Sequence, residues 1–234
     1  MALGTDIPEE ARKRITGEML PYRLADHGSS VAYVANDCFE GWAEFAFRAD
    51  DGREAPYGGP SEPARVDIRV WPPAVEHESF DDAMPDGWTI TDGYSDGQTW
   101  QWNQEAESGE GYLIVDSEMA GSVWMDEQLV SPPFDCADYD RVYLVFDHFF
   151  SAYSDEIADV EMRVGSDRTW TPVGRYQGFS ISELAEYDIS EWAAGRDQVR
   201  LRWRYHNAYY DAYWVLYHVW ILGLRSPGPG DLEG

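Results

Sequence analysis

Cations are scarce in this sequence, cysteine is nearly absent, and no long apolar run occurs. Only 17 Lys and Arg stand against 44 Asp and Glu, for a formal net charge of −27 at pH 7. Nucleic-acid affinity rests on cations meeting phosphates, so such a chain is repelled by nucleic acid. An anionic membrane surface is disfavoured for the same reason. No stretch of 18 apolar residues is present, so membrane insertion through a helix is not expected. The opening MALGTDIPEEARKRITG lacks the apolar segment of a secretion signal, so the chain reads either as intracellular or as a piece of something longer. The two cysteines, Cys38 and Cys136, form no C-x-x-C, which argues against a zinc or redox centre. None of the five histidines belongs to an H-E-x-x-H motif. A surplus of acid keeps a protein soluble, suits a salty habitat or supplies carboxylates to Ca²⁺.

What is present points to β-structure. The 234 residues suffice for one large domain or two modest ones, and 44% apolar content fits a packed core. Eleven Trp and 15 Tyr suit pleated faces and ligand stacking. Period-2 alternation marks EFAFRA (44–49), RVDIRV (65–70), DVEMRV (159–164) and RLRWR (200–204) as half-buried strands. VYLVF (142–146) and YWVLYHVWI (213–221) are apolar on both faces, as in strands covered on two sides. Turn clusters separate them, at 49–63, 131–135 and 165–170. Helical signals are limited to PEEARKRI (8–15) and a turn or two within 180–195. The Pro pair in WPPAVEHE (71–78) reads as a boundary. The expected organisation is therefore a first domain over 1–73, a second over 74–224 and a flexible Pro/Gly tail over 225–234. Cys38 and Cys136 fall in different domains and are expected to remain unbonded to each other.

GYSDG (93–97) fits G-x-S-x-G, the nucleophile elbow of α/β-hydrolases. An elbow runs from a strand into a helix, and the residues after Gly97 alternate aromatics with no helical period. Ser95 is therefore read as part of a polar turn. A Ser95-dependent hydrolase stands as the rival reading.

LADHGSSVAYV (24–34), DCFEGWAEFAFRADDG (37–52) and SEPARVDIRV (61–70) together resemble the cadherin-like tandem repeats of large bacterial surface proteins. Phe39, Gly41, Phe45 and Phe47 match the repeat's pattern, while Ala43 and Glu44 depart from it. ESFDDAMPDGWTITDGYSDGQTWQW (78–102), LVSPPFD (129–135), LVFDHFFSAYSDEIADVEMRVGSDRTWTPV (144–173) and YYDAYWVLYHVWI (209–221) resemble cleaved-adhesin domains, MAM-like jelly rolls found beside bacterial surface proteases. The tail GDLEG looks like the opening of a dockerin-type repeat.

These resemblances imply an all-β chain: a small Ig/cadherin-like sandwich followed by a jelly-roll β-sandwich. They imply a non-catalytic adhesion or carbohydrate-binding module of a larger secreted or surface bacterial protein, with a glycan or cell-surface protein as partner. An accessory region of a secreted peptidase and a structural spacer of a surface array are the alternatives. Jelly rolls of this kind hold a structural Ca²⁺, and the motif match assigns Glu78, Asp92 and Asp96 to it. Tyr217 and His218 stand where the family has an Asp pair, and both are poor ligands for a hard cation. The densest aromatic run, RYHNAYYDAYW (204–214), supplies Tyr205, His206, Asn207, Tyr209 and Tyr210 as the candidate ligand site. Arg200, Arg202 and Arg204 form a basic stripe on one strand face, expected to pair with carboxylates.

Overall fold

A computed structural model describes residues 22–26, 31–35, 41–47, 62–72 and 74–225. The chain divides into two units, Met1–Pro72 and Pro73–Gly234. In the first, β1 (Tyr22–Asp26) pairs antiparallel with β2 (Val31–Ala35). β3 (Gly41–Phe47) likewise pairs with β4 (Ala64–Val70), and Ala43 is buried opposite Ile68. Arg65 bridges Glu44 and Asp67 on the exposed side. The possible helix at 8–15, Cys38, Phe39 and the GDLEG tail lie outside the described residues.

The second unit is built almost wholly of strands. They are β5 (Ala74–Glu78), β6 (Thr89–Asp92), β7 (Gln101–Gln104), β8 (Gly111–Asp116), β9 (Trp124–Val130) and β10 (Arg141–Phe150). There follow β11 (Ile157–Val164), β12 (Thr171–Gln177), β13 (Ile181–Asp188), β14 (Val199–Tyr209) and β15 (Tyr213–Leu224). Helix in this unit is confined, among the described residues, to single turns at Ser117–Ala120 and Ser190–Ala193. One sheet runs β13-β10-β15-β8-β7 and the other β12-β11-β14-β9-β6. Position by position, the two orders match sequence neighbours: 13 with 12, 10 with 11, 15 with 14, 8 with 9, 7 with 6. The chain thus crosses repeatedly between sheets, as in a jelly roll. The fold is an all-β sandwich.

β15 holds the first sheet together. One edge pairs with β10 from Trp214 to Leu224. The other pairs with β8 over Tyr213–Leu216 and with β5 over Val219–Leu222. Gly223 lets this corner close, because a Cβ there would meet Tyr139 Cδ1 at 2.3 Å and Val75 Cγ2 at 2.6 Å.

The alternating residues of the facing strands make the core: Leu144, Phe146 and Phe150 of β10, Val160 and Met162 of β11, Leu201 and Trp203 of β14, Trp214 and Leu216 of β15. Phe146 meets Trp203 edge-on at 5.9 Å. Each such side chain removed from water is worth roughly 1.5–3 kcal/mol. Val142 through Phe146 are all buried, as expected of a strand covered on both faces. Cys136 is a free, buried thiol, raised to about 11 by burial first and by the charge of Asp135 second.

Candidate ligand-binding end of the sandwich

A β-bulge decides what the end of β14 presents. Trp203 and Tyr205 point into the core, so strict alternation would send residues 207 and 209 inward too. The register with β9 shifts between His206 and Ala208. Asn207 takes up the extra position at φ 56°, in the left-handed region that Asn tolerates. Ala208 then faces the core and Tyr209 faces solvent. Tyr209 lies opposite Trp124, the first residue of β9, with ring centroids 5.1 Å apart. Trp124 is 54% exposed, Tyr209 43% and the neighbouring Tyr210 57%.

Hydrogen bonds hold the backbone around these rings. The Asp211 carboxylate accepts from the Tyr209 N–H at 2.6 Å, and the Asp211 N–H donates to the Ser117 hydroxyl at 3.1 Å. The Ser117 N–H donates to Ala212 O at 3.0 Å, and so does the Tyr205 hydroxyl. Asn207 Nδ2 donates to Asp155 O at 2.8 Å, tying the 151–156 loop to the bulge. Within that loop the buried Glu156 carboxylate accepts from the N–H groups of Tyr153 and Ser154. Tyr153 is left exposed on the same end of the sandwich.

The five residues expected to form the ligand site therefore divide. Tyr209 and Tyr210 are displayed. Tyr205 is fully buried, which pushes its hydroxyl's pKa up, and its ring is a core residue. Asn207 spends its amide on Asp155. His206 Nε2 sits 2.9 Å from Asp159 Oδ2, inside an ion-pair ladder that runs across the outer face of the second sheet. In that ladder Asp159 also receives Arg175 at 2.6 and 2.8 Å. Burial alone would raise the Asp159 carboxyl, but the bonds from His206 and Arg175 outweigh it and hold it at about 2. Arg204 grips Asp126 at 2.6 and 2.7 Å, and Arg202 meets Glu161 at 2.5 Å and Gln128 at 2.9 Å. Arg202 and Arg204 are thus paired with carboxylates, as expected, whereas Arg200, the third residue of that stripe, has no carboxylate partner among the described residues.

Trp124 was not among the expected residues. Its signal is the alternation of Trp124, Asp126 and Gln128 against the buried Met125, Glu127 and Leu129.

The expected calcium ligands are not gathered. Asp92 ends β6 and folds its carboxylate back on its own turn, accepting from the N–H groups of Ser95 at 2.5 Å, Asp96 at 3.3 Å and Gly97 at 2.7 Å. Asp96 accepts from Gln98 N at 2.9 Å, and Glu78 accepts from Phe80 N at 3.1 Å. Among the described residues no three His, Cys, Asp or Glu side chains converge as a metal cluster. Both Asp92 oxygens, and one oxygen each of Glu78 and Asp96, are engaged by backbone N–H groups, and the three carboxylates do not come together as the oxygen cage that Ca²⁺ needs. His77 stacks directly on Trp220 at 4.9 Å, His218 lies beside both rings at 5.8 Å from His77 and 5.2 Å from Trp220, and its Nε2 lies 3.3 Å from Glu110.

Ser95 sits in a turn between β6 of one sheet and β7 of the other, with no helix following. The helix N-terminus that an elbow requires is missing from this position.

No protein-family profile matches the chain. No curated protein matches its sequence. Solved structures to which it is similar include cleaved adhesin domains of Lys-gingipain (Kgp). The K1 domain from Porphyromonas gingivalis W83 has a TM-score of 0.51 and 18% identity, over 65% of this chain and 98% of that one. The K2 domain has a TM-score of 0.50 and 16% identity over 65% and 98%. The K3 domain, also from P. gingivalis W83, has 0.50 and 17% over 64% and 99%. At these identities the likeness is one of fold. No helix among the described residues is long and apolar enough to cross a membrane.

Proposed function

We propose that this chain is a non-catalytic binding module of a larger secreted or surface protein, and that it takes a glycan at the Trp124–Tyr209–Tyr210 end of its sandwich. One observation carries the reading: the exposed rings of Trp124 and Tyr209 stand in contact, with exposed Tyr210 next in the chain, on a backbone fixed by the hydrogen bonds of Ser117, Asp155 and Asp211. Exposed aromatic clusters mark interaction sites. Sugars present C–H faces that stack on such rings, and a rigid platform loses little entropy on binding. In this reading the cadherin-like segment over residues 15–71 is a repeat module that carries the sandwich within the larger protein.

The test is a glycan array followed by titration calorimetry on the best binder. Trp124→Ala and Tyr209→Ala are each expected to weaken binding at least tenfold, about 1.4 kcal/mol, with the melting temperature of Trp124→Ala unchanged. An array without binders would favour the spacer reading and sink this one. Labelling by a serine-directed fluorophosphonate that Ser95→Ala abolishes would revive the hydrolase.

A further inference from the structure

β14 begins about 30 Å from Tyr209, counting nine residues of strand from Arg200, and at that far end arginines are left without partners. Among the described residues, Arg163, Arg168, Arg196 and Arg200 make no ion pair and no side-chain hydrogen bond, although acid outnumbers base 44 to 17. Their placement is concentrated. Arg163 of β11 lies directly opposite Arg200 of β14, and like charges across a strand pair are destabilising. Arg168 sits in the turn between β11 and β12. Arg196 follows the helical turn Ser190–Ala193, and it shares with Arg163 the lining of one cavity of about 530 Å³.

The cavity has the size of a small-ligand site. Thr171 contributes to its wall, Asp167 and Glu191 stand exposed at its rim, and Trp192 is 37% exposed beside them. Arg163 Nε is buried there with no hydrogen-bond partner. A buried donor left unmade costs about 1–3 kcal/mol. Trp170 fixes the guanidinium, with Arg163 over its ring at 4.6 Å and Arg202 at 4.5 Å. An anion entering here would meet the positive charge of Arg163 and Arg196, which line the cavity together, and offset the repulsion around Arg163. The rim carboxylates and Thr171 suit hydroxyl groups, and Trp192 suits a sugar face.

We propose that this cavity is a second saccharide subsite, separate from the aromatic end, which takes a sugar carrying a carboxylate or sulfate. Arg163 and Arg196 meet the anion and Trp192 stacks on the ring. The site explains why, among the described residues of the second unit, the arginines without an ion pair gather at one end, two of them, Arg163 and Arg196, lining its cavity.

The experiment titrates the full chain with tri-galacturonate and with its methyl ester, which keeps the ring and removes the charge. The acid form is expected to bind at least tenfold more tightly than the ester. Arg196→Gln, at an exposed position, should erase that preference, and Trp192→Ala should weaken both forms, while Trp124→Ala leaves both unchanged. Equal binding of acid and ester, or an unaltered preference in Arg196→Gln, would overturn the proposal. So would no binding of the acid form, or displacement of the trisaccharide by an equal concentration of inorganic sulfate. Binding lost in Trp124→Ala but kept in Arg196→Gln would place the saccharide at the aromatic end alone, overturning this subsite and leaving the first reading intact.

Discussion

Glu127 points inward from β9, fully buried, with its Oε2 unpartnered. Burial first, and the charges of Asp92 and Asp96 after it, lift its carboxyl to about 7. His148, fully buried in β10, accepts from Trp214 Nε1 at 3.1 Å, and burial pushes it down to about 4. Their linkage to stability has opposite signs. Glu127 binds its proton more tightly folded than unfolded, so its contribution is complete below about 4.5 and is lost as pH rises through 7. His148 binds its proton less tightly folded, so its contribution is complete above about 6.5 and is lost as pH falls through 4. The two slopes oppose each other over the interval they share, and each shift is worth on the order of 3 kcal/mol. Glu127→Gln removes one slope. Its melting temperature relative to wild type is expected to climb between pH 5 and 8, and a difference flat in pH would refute the assignment. His148→Phe should show the complementary behaviour, gaining on wild type below about pH 6.

At the scale of the strand, the bulge at Asn207 turns an ordinary core strand into one that displays Tyr209. Asn207→Gly keeps the positive φ and loses the amide bond to Asp155 O, an expected cost of about 1 kcal/mol. Asn207→Ala loses both, adding roughly 1–2 kcal/mol for a side chain held in the left-handed region. Denaturant midpoints should therefore fall in the order wild type, Gly, Ala, with glycan affinity following. Equal midpoints for Gly and Ala would mean the backbone there is unstrained. The same bulge marks how far the sequence could be read. Alternation was enough to place Leu201 and Trp203 inside and Arg202 and Arg204 outside, and double-sided apolar runs were enough to make β10 and β15 central. The density of aromatics in the 204–214 run made residues 205–210 look like one continuous display, and the extra residue that divides them leaves no mark in a hydrophobic pattern. Trp124 could be placed outside from its own strand. Its contact with Tyr209 required the register of two strands 85 positions apart, which no local pattern encodes. The calcium expectation meets a similar limit. The Asp-rich turn is legible, yet whether Asp92 faces an ion or its own backbone depends on how residues 93–97 coil.

At the scale of the whole molecule, the second unit owns both of its sheets, with β5 and β15 joined from Ala74 onward. A fragment of residues 73–225 is expected to unfold in one cooperative transition, and a broad or absent transition would show that the first unit is needed. The charge of −27 sets a second property of the molecule. Carboxylates in such excess repel one another across the surface and favour expansion of the chain. Salt acts on two opposing terms. It weakens the ladder of Arg175, Arg202 and Arg204 with Asp159, Glu161 and Asp126, and it weakens the general repulsion. The ladder's pairs are part-buried and joined at 2.5–2.8 Å, and such pairs are screened least. The repulsion acts through solvent over longer distances, and the screening length falls from about 30 Å at 0.01 M to about 8 Å at 0.15 M. Relief of repulsion therefore wins. The melting temperature is expected to rise with NaCl, with most of the gain below roughly 0.2 M, where screening rather than altered hydration operates. Exposed Glu→Gln substitutions outside the ladder should raise the low-salt melting temperature and shrink the gain. Arg204→Gln should lower stability at every salt concentration and leave the gain in place. A melting temperature that is flat or falling between 0.01 and 0.2 M would show that the ladder, and not the surplus of carboxylates, governs the electrostatics of this fold.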